Sequence, residues 1–179
     1  MIVWITLLFF ALGFIHISLS LLGLICFILP FIQYIKYKEK VWCKYYCPRA
    51  GYFNFFLSKI SLGLKPIKLL RGKNFKKGVI TYFAINIFFV IMSTIMVSLG
   101  KIAPIEQIRF LIIFGLPIKL PQLLNIEVLP NLLHLSYRVY SMMFTSIVIG
   151  TILGILYKPR FWCGICPINT LTSKNAKKS

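Results

Sequence analysis

The chain has very few acidic residues: against 21 lysines and arginines it contains only Glu39, Glu106 and Glu127, and no aspartate. General acid–base catalysis depends on positioned carboxylates and histidines, and this chain has three of the former and two of the latter. We find no glycine-rich phosphate loop, no paired carboxylates and no Ser–His–Asp combination. These absences argue against acid–base chemistry, so any activity of this chain is expected to be electron transfer.

Charged residues are also scarce, at 13%, whereas hydrophobic residues make up 59% and the mean hydropathy is +0.84. A soluble domain is typically about 45–50% apolar and about 25% charged, so the composition predicts an integral membrane protein. The net charge of +18 does not indicate a nucleic-acid partner, because the cations lie between apolar runs and not on a polar domain. They are arranged instead as the positive-inside rule expects.

The apolar runs predict one domain over residues 1–179: an all-α, polytopic bundle of three or four transmembrane helices with additional interfacial and half-helices. Residues 2–35 carry no charge and exceed the roughly 20 residues of one upright crossing. We expect a hairpin there that turns near His16–Ser20, with one long tilted helix as the alternative. Because the start of the chain lacks a basic region and a small-residue cleavage site, no cleaved signal peptide is expected.

Residues 78–99 and 137–157 are predicted to be transmembrane helices, the latter with a GxxxG face that favours close packing within the monomer. The segment after the first cysteine pair, 51–64, predicts a short interfacial helix. Residues 102–134 are apolar but contain several prolines, which helices rarely continue into. This stretch is therefore predicted to be irregular, with half-helices that lie on or re-enter the membrane.

The basic residues predict the orientation of the chain. Residues 36–77 contain twelve lysines and arginines, and the tail 158–179 contains five. Two predicted crossings separate these segments, so both lie on the same face of the membrane. The remaining basic residues lie between the crossings: Lys101, Arg109, Lys119 and Arg138. The positive-inside rule therefore predicts that the first segment and the tail face the cytoplasm of a bacterial inner membrane.

Four of the five cysteines occur as pairs in these cytoplasmic segments, Cys43-x-x-x-Cys47 and Cys163-x-x-Cys166. Cys26 lies in an apolar run and is expected to be inert. Structural disulfides are rare in a reducing cytoplasm, so the pairs are expected to bind metal or to act in redox chemistry. Four thiolates suit a [4Fe–4S] cluster or a tetrahedral zinc ion, and a C-x-x-C pair also suits thiol–disulfide exchange.

Two details favour iron–sulfur. Proline follows the second cysteine of each pair, as Pro48 and Pro167, and this order also ends bacterial ferredoxin motifs. Aromatic residues could exclude water from the site, and nearby cations could offset the negative charge of a thiolate-bound cluster. The candidates for these supporting roles are Trp42, Lys44, Arg49, Lys158, Arg160 and Trp162. A dithiol oxidoreductase and a metal-stapled scaffold subunit remain the alternatives.

The two motifs read WCKYYCPRAGYF and KPRFWCGICPINTL. Both resemble the Cys-Pro motifs of bacterial 4Fe-4S-binding membrane proteins, a group similar to the membrane ferredoxin-like subunits of nitrate and nitrous-oxide reductase systems. The resemblance covers most of the chain. It implies an electron-transfer component with a partner redox protein, and a cluster held by Cys43, Cys47, Cys163 and Cys166.

The sequence differs from the larger members of that group in two ways. It contains no additional soluble ferredoxin run of cysteines, and its second motif has a gap of two residues where theirs commonly has three. The resemblance therefore implies one cluster and not a chain of several.

A second group of polar residues lies around the last predicted helix: Glu106, Arg109, His134, Tyr137 and Arg138. Ionisable residues near membrane depth are candidates for function. A quinone headgroup site is one interpretation. The alternative is interfacial anchoring by long side chains together with a Glu106–Arg109 pair.

Overall fold

The computed structural model describes residues 2–37, 42–105, 107–111, 114–115, 122–123 and 128–175. Within them the chain is helical apart from loops and one pair of two-residue strands, which confirms the all-α class. The chain forms two compact units. We refer to Met1–Thr6, Cys26–Ala84 and Ile147–Ser179 as the cysteine unit, and to Leu7–Ile25 and Ile85–Ser146 as the arginine unit. That residues 1–179 act as one domain stays a prediction.

The N-terminal apolar run is interrupted at His16. Helix α1 (Ile2–Ile15) ends there, a 3₁₀ helix (Ile17–Leu21) follows, and α2 (Leu22–Tyr37) continues the chain. His16 has an extended backbone, and its Nδ1 accepts a hydrogen bond of 3.3 Å from the backbone N–H of Ser18. The imidazole therefore caps the new helix as an asparagine or serine side chain would.

Among the described residues, three helices are long and apolar enough to cross a membrane: Ile17–Tyr37, Lys73–Ser98 and Pro130–Leu156. These helices support a membrane protein. The helix Val3–Ile15 is apolar but shorter, so the number of crossings within residues 2–35 stays a prediction.

Both later spans begin earlier than the sequence predicted. Helix α5 (Lys73–Ser98) includes lysines that were predicted to lie in the basic segment 36–77, and α6 (Pro130–Leu156) includes residues that were predicted to lie in the irregular segment 102–134. The second boundary was wrong because Pro130 was interpreted as a helix breaker. Proline is favoured in the first turn, where its missing N–H has no intrahelical partner to lose.

Helix α5 presents its apolar side chains outward. Its buried residues are Asn86, Val90 and Val97, whereas Phe88 and Phe89 are 60% and 53% exposed. In water such a helix would expose the hydrophobic residues that a soluble fold buries. The pattern is that of a helix surrounded by lipid.

In the cysteine unit, helix α3 (Pro48–Leu57) lies where an interfacial helix was predicted, but it begins earlier, at Pro48. An extended segment follows, in which the N–H groups of Leu62 and Leu64 donate to the carbonyls of Ile155 and Leu156 at 2.7 and 3.1 Å. Carbonyls in the last turn of a helix lack intrahelical partners. This segment therefore satisfies the end of α6. A short helix, α4 (Lys68–Arg71), precedes α5.

The two glycines of the GxxxG motif lie against α3. A Cβ atom at Gly150 would overlap the ring of Phe53, and one at Gly154 would overlap the side chain of Leu57. Small residues in membrane helices allow this kind of close approach. The motif therefore packs α3 against α6 within one chain, as predicted.

The segment between α5 and α6 is described only in part, so the half-helices predicted for residues 102–134 stay a prediction. Its described part contains two short antiparallel strands, β1 (Arg109–Phe110) and β2 (Phe114–Gly115), and no half-helix before Pro130. Side chains of α6 satisfy its backbone instead. The N–H groups of Ile105, Arg109 and Leu111 donate to His134 Nδ1 at 3.2 Å, Ser141 Oγ at 3.1 Å and Thr145 Oγ1 at 3.4 Å, respectively.

Candidate metal centre

The two cysteine pairs meet in the cysteine unit. Cys43 and Cys47 line the same cavity as Cys163 and Cys166. The remaining lining residues are Trp42, Arg49, Ala50, Phe53, Trp162, Ile168 and Asn169. Four soft sulfur donors thus surround one volume whose walls are largely apolar, and Arg49 is the charged side chain among the lining residues. That the four cysteines bind a metal stays a prediction.

The first pair lies in a π-helical turn, Trp42–Tyr46. This turn has the wider i to i+5 hydrogen bond, and the N–H of Cys47 donates to the carbonyl of Trp42 at 2.9 Å. π-turns are rare and occur often at functional sites. The extra residue in the Cys43–Cys47 gap is therefore accommodated by the wider turn.

The second pair closes in the same manner with one residue fewer. Helix α7 (Phe161–Ile165) contains Cys163, and the N–H of Cys166 donates to the carbonyl of Trp162 at 2.8 Å, an ordinary α-helical bond. In both loops the second cysteine thus bonds to the tryptophan that directly precedes the first cysteine. The unequal spacing of the two motifs reflects two types of turn that close on equivalent atoms.

Each Cys-Pro step begins a helix. Cys47 and Cys166 have extended backbones, with ψ of 112° and 129°, as expected for residues before proline. Pro48 then starts α3 and Pro167 starts α8 (Pro167–Asn175). Helix N-termini carry partial positive charge and favour nearby anions. Both second cysteines are therefore held at positions that stabilise negative charge on sulfur.

Arg49 is the buried cation of the site, with 9% of its surface exposed. Its Nη2 lies 3.8 Å from Cys26 Sγ, to which it donates, and its guanidinium lies 5.7 Å from the ring centroid of Phe27. Burial opposes the charged form, but the sulfurs of Cys26, Cys166 and Cys47 outweigh it and raise the Arg49 pKa. Cys26, expected to be inert, therefore contacts the charged residue of the site.

The other predicted cations are placed differently. Arg160 precedes α7 and is exposed, while the side chain of Lys44 lies outside the part of the chain that the structure describes. Lys158 is also exposed, and with Arg160 and Lys76 it lines a separate basic cavity of the cysteine unit. Of the predicted charge partners with described side chains, Arg49 is thus the one that lines the thiol cavity.

The first cysteine of each pair has a raised pKa. Burial, followed by repulsion from Cys47, Cys166 and Cys163, raises the pKa of Cys43 to about 12. Burial, followed by Cys47 and Cys166, raises the pKa of Cys163 to about 11, although Arg160 and Arg49 oppose the shift. The mutual influence of cysteines from both loops reflects their proximity. A cationic centre that bound all four sulfurs would relieve this repulsion.

The four thiols line one cavity, but they do not form a preassembled site for a single ion. In the described residues, no three His, Cys, Asp or Glu side chains form a group that could hold one metal ion. Tetrahedral zinc with bonds of about 2.3 Å would hold its sulfurs about 3.8 Å apart.

Two tryptophans, Trp42 and Trp162, form part of the wall of the cavity. Trp42 stacks on Tyr46, with ring centroids 6.3 Å apart. Trp162 has a buried indole Nε1 that has no hydrogen-bond partner in the described part of the chain. A buried donor is usually paired, so an acceptor at the cavity, such as a cluster sulfur, would complete its bonding.

Sequence reasoning missed Asn169, Ala50 and Phe53, which also line the cavity. Asn169 Nδ2 donates to the carbonyl of Cys163 at 2.8 Å and so ties α8 to the preceding loop. Ala50 and Asn169 each lie three positions after a Cys-Pro cysteine, on the helix face that carries that cysteine. This regular spacing could have identified both residues once the Cys-Pro steps were recognised as helix starts.

The second group of polar residues is only partly assembled. Arg109, His134 and Arg138 line one cavity in the arginine unit. Tyr137 belongs instead to a buried apolar cluster with Ile17, Ile108 and Tyr140. Glu106 lies outside the described residues. A quinone at this position stays a prediction.

Comparison with known families identifies the same segments. The family described as a 4Fe-4S binding domain matches residues 19–67 and 140–174. Each matched segment contains one of the cysteine pairs. The match supports an iron–sulfur protein. No curated protein and no solved structure matches this iron–sulfur candidate significantly.

Proposed function

We propose that this protein is a membrane electron-transfer component that holds one [4Fe–4S] cluster on Cys43, Cys47, Cys163 and Cys166. The observation that carries the proposal is that both cysteine pairs line one cavity. Both pairs also lie within the segments that match the 4Fe-4S binding domain family. Each pair supplies half of a ligand set, and four thiolates are the usual ligands of a [4Fe–4S] cluster.

The surroundings of the cavity fit a group with net negative charge. Four thiolates exceed the charge of an oxidised [4Fe–4S] core, so the complex as a whole is anionic. Arg49 and the N-termini of α3 and α8 supply positive charge at the cavity. The indole N–H of Trp162 supplies a donor that has no other partner in the described chain.

When bound, the cluster supplies a one-electron redox couple. The residues of this chain determine how readily the couple is reduced. Arg49 favours the reduced state because reduction adds negative charge beside a buried cation. Trp42, Phe53 and Trp162 exclude water from the site, and water access is one of the factors that tune the potential.

A dithiol oxidoreductase is less consistent with the site. A nucleophilic cysteine needs a lowered pKa so that the thiolate is present near neutral pH. In this site the pKa values of Cys43 and Cys163 are raised to about 12 and about 11, first by burial. These thiols are suited to metal binding, in which the metal displaces the proton.

The charge distribution along the sequence favours one face of the membrane for the proposed cluster. The basic segments at 36–77 and 158–179 favour a cytoplasmic location for the cluster, on the inner membrane of a bacterium. A soluble donor or acceptor in the cytoplasm would then exchange electrons with it. The basic surface around Lys158 and Arg160 favours an acidic partner at this face.

The test is anaerobic purification of the full chain, followed by iron, sulfide and zinc analysis and by EPR after reduction with dithionite. We expect about four iron and four sulfide atoms per chain. Separate Cys→Ser changes at positions 43, 47, 163 and 166 should each remove most of the bound cluster. Far-UV circular dichroism of each variant reports whether the helices are retained.

Cys26→Ser is the matched control. Cys26 lies in the same unit and contacts Arg49, yet it is not among the residues that line the cavity. This variant should retain iron and sulfide at the wild-type ratio. Zinc without sulfide, or a metal-free protein with a titratable disulfide, would contradict the proposal.

A further inference from the structure

The arginine unit contains a cavity of about 530 Å³ that shares no lining residue with the cavity of the four thiols. Arg138, on α6, lines this cavity, and only 9% of its surface is exposed. Its Nε and Nη1 are buried and have no hydrogen-bond partner in the described part of the chain. Snorkelling to water, which the sequence allowed for this residue, would have left the guanidinium exposed. The donors of a buried cation are therefore left for a ligand.

His134 does not supply the missing partner. It is 1% exposed, its Nδ1 accepts the N–H of Ile105 at 3.2 Å, and its Nε2 lies 2.9 Å from Ser93 Oγ. An Nδ1 that accepts a hydrogen bond places the ring proton on Nε2, which then donates to Ser93. His134 is thus a neutral imidazole with both nitrogens in use, and it fixes one wall of the cavity.

The charge facing the cavity is positive. Arg109, on β1, lines the same volume as Arg138. Its backbone N–H is held by Ser141 Oγ at 3.1 Å, which positions the strand beside α6. No described residue that lines the cavity carries a carboxylate. Two guanidinium groups that face one volume repel each other, and an anion between them removes both this repulsion and the cost of the unpaired donors.

We propose that this cavity binds a phosphate-type oxyanion, with Arg138 as its principal ligand and Arg109 as the second. Guanidinium groups match phosphate oxygens in charge and in hydrogen-bond geometry. A neutral quinone carbonyl could accept one hydrogen bond but would leave both positive charges uncompensated. The observed charge therefore favours an anion over the quinone headgroup considered from the sequence.

Two sources could supply this chemistry: the headgroup of an anionic phospholipid, or free phosphate. Arg138 lies on a helix that is long and apolar enough to cross a membrane, and Pro104 and Ile105 give the cavity an apolar rim. A lipid could place its phosphate at Arg138 while its chains remain in the bilayer. The experiment below separates this source from free phosphate.

The test uses the full chain as purified in detergent, after removal of co-purified lipid. One arm measures retention of phosphatidylglycerol by native mass spectrometry, and the other measures binding of inorganic phosphate by calorimetry. Wild-type protein should bind at least one of the two. Arg138→Gln should weaken that binding at least about tenfold, because a hydrogen bond to a charged group contributes about 1.5–3 kcal/mol.

Lys101→Gln is the matched control, because it removes the same charge from an exposed residue of the same unit. It should bind as the wild type does. If phosphatidylglycerol binds and millimolar phosphate does not displace it, the natural ligand is the lipid headgroup. If only inorganic phosphate binds, the ligand is the free anion. If Arg138→Gln loses its helical circular dichroism, Arg109→Gln provides the second variant, since it changes the strand and not the helix.

The proposal is wrong if wild-type protein binds neither anion, or if folded Arg138→Gln binds as tightly as wild type. It is also wrong if a short-chain ubiquinone binds to the wild type, binds more weakly to Arg138→Gln, and is displaced by neither anion. Iron and sulfide content should remain unchanged in every variant. These outcomes are therefore independent of the proposed cluster.

Discussion

The two units of this protein each bury an arginine to the same extent, with 9% of the side chain exposed. Arg49, in the cysteine unit, contacts Cys26 and lines the cavity of the four thiols. Arg138, in the arginine unit, lines a cavity together with a second arginine and a neutral histidine. The first cation lies beside thiols that can become negative, and among the described residues the second has no such neighbour.

The difference shows that burial alone does not define the role of a charged residue. A buried charge is tolerated when it is paired, and it destabilises the fold when it is not. For Arg49 the proposed metal binding would supply the compensating charge, because the metal displaces the protons of the thiols. For Arg138 the described chain offers no such group, so the compensation is expected from outside the protein.

The largest expected effect comes from replacing each arginine by methionine, which keeps an unbranched apolar stem and removes the charge. Arg138→Met should raise the unfolding free energy of lipid-free protein by about 1–4 kcal/mol, because an apolar side chain replaces an uncompensated charge. Arg49→Met should lower the stability of cluster-loaded protein, because it removes one partner of a buried charge pair. Detergent-induced unfolding, followed by circular dichroism, measures both changes.

Effects of the same sign in both variants would show that the two arginines are equivalent and would end the comparison. Lys101→Met serves as the control for a gain in apolar surface. Lys101 is exposed, so this change should alter stability by no more than about 0.5 kcal/mol.

A smaller effect is expected on the reduction potential. Reduction adds negative charge, so loss of a nearby positive charge makes the potential more negative. At an assumed separation of about 7 Å and an effective dielectric of about 20, one charge contributes about 2.4 kcal/mol, or on the order of 100 mV. Arg49→Gln should therefore lower the midpoint by about this amount in a redox titration monitored by EPR.

Arg160→Gln is the control for this titration. It removes the same charge near Cys163, but from an exposed position, where solvent screens the interaction. Its shift should be a small fraction of that for Arg49→Gln, and Arg138→Gln should give none. Equal shifts for Arg49 and Arg160 would show that net charge, and not burial, sets the potential.

The smallest effect on the reduction potential should follow from Trp162→Phe, which keeps an aromatic ring and removes the indole N–H that has no described partner. If that group donates to a cluster sulfur, its loss should lower the midpoint by a few tens of millivolts, on the order of the effect of one hydrogen bond near a cluster. Trp42→Phe is the matched change in the other loop. Trp42 stacks on Tyr46, and we expect a smaller shift there. A larger shift for Trp42 would reverse the assignment of the donor.

The sequence predicted the helices that are uniformly apolar, because length and hydropathy alone define them. It placed the starts of α5 and α6 too late, since lysines and a proline can occupy a first turn as readily as a loop. Counting crossings predicted that both cysteine pairs lie on one face of the membrane, but not that they line one cavity. The π-turn at Trp42–Tyr46 was not predicted, because residue periodicity does not encode a change of hydrogen-bond register.

In the arginine unit the sequence identified the candidate polar residues but did not predict the surroundings of each one. Tyr137 and Arg138 are adjacent, yet one is part of the apolar core and the other lines a cavity. One step along a helix rotates a side chain by about 100°, so neighbours in sequence face different surroundings. The orientation of the helix decides which of them faces the cavity, and composition carries no information on that orientation.

The closure of each cysteine loop on its own tryptophan carbonyl has a consequence for biosynthesis. Each half of the site is a local structure that can form as soon as its few residues leave the ribosome, but the two halves are separated by the whole stretch from Cys47 to Cys163. During translation the first half must therefore wait, with two thiols and no partner loop, until the last helix has been inserted. Iron is then expected to enter the proposed site only after both halves have been made.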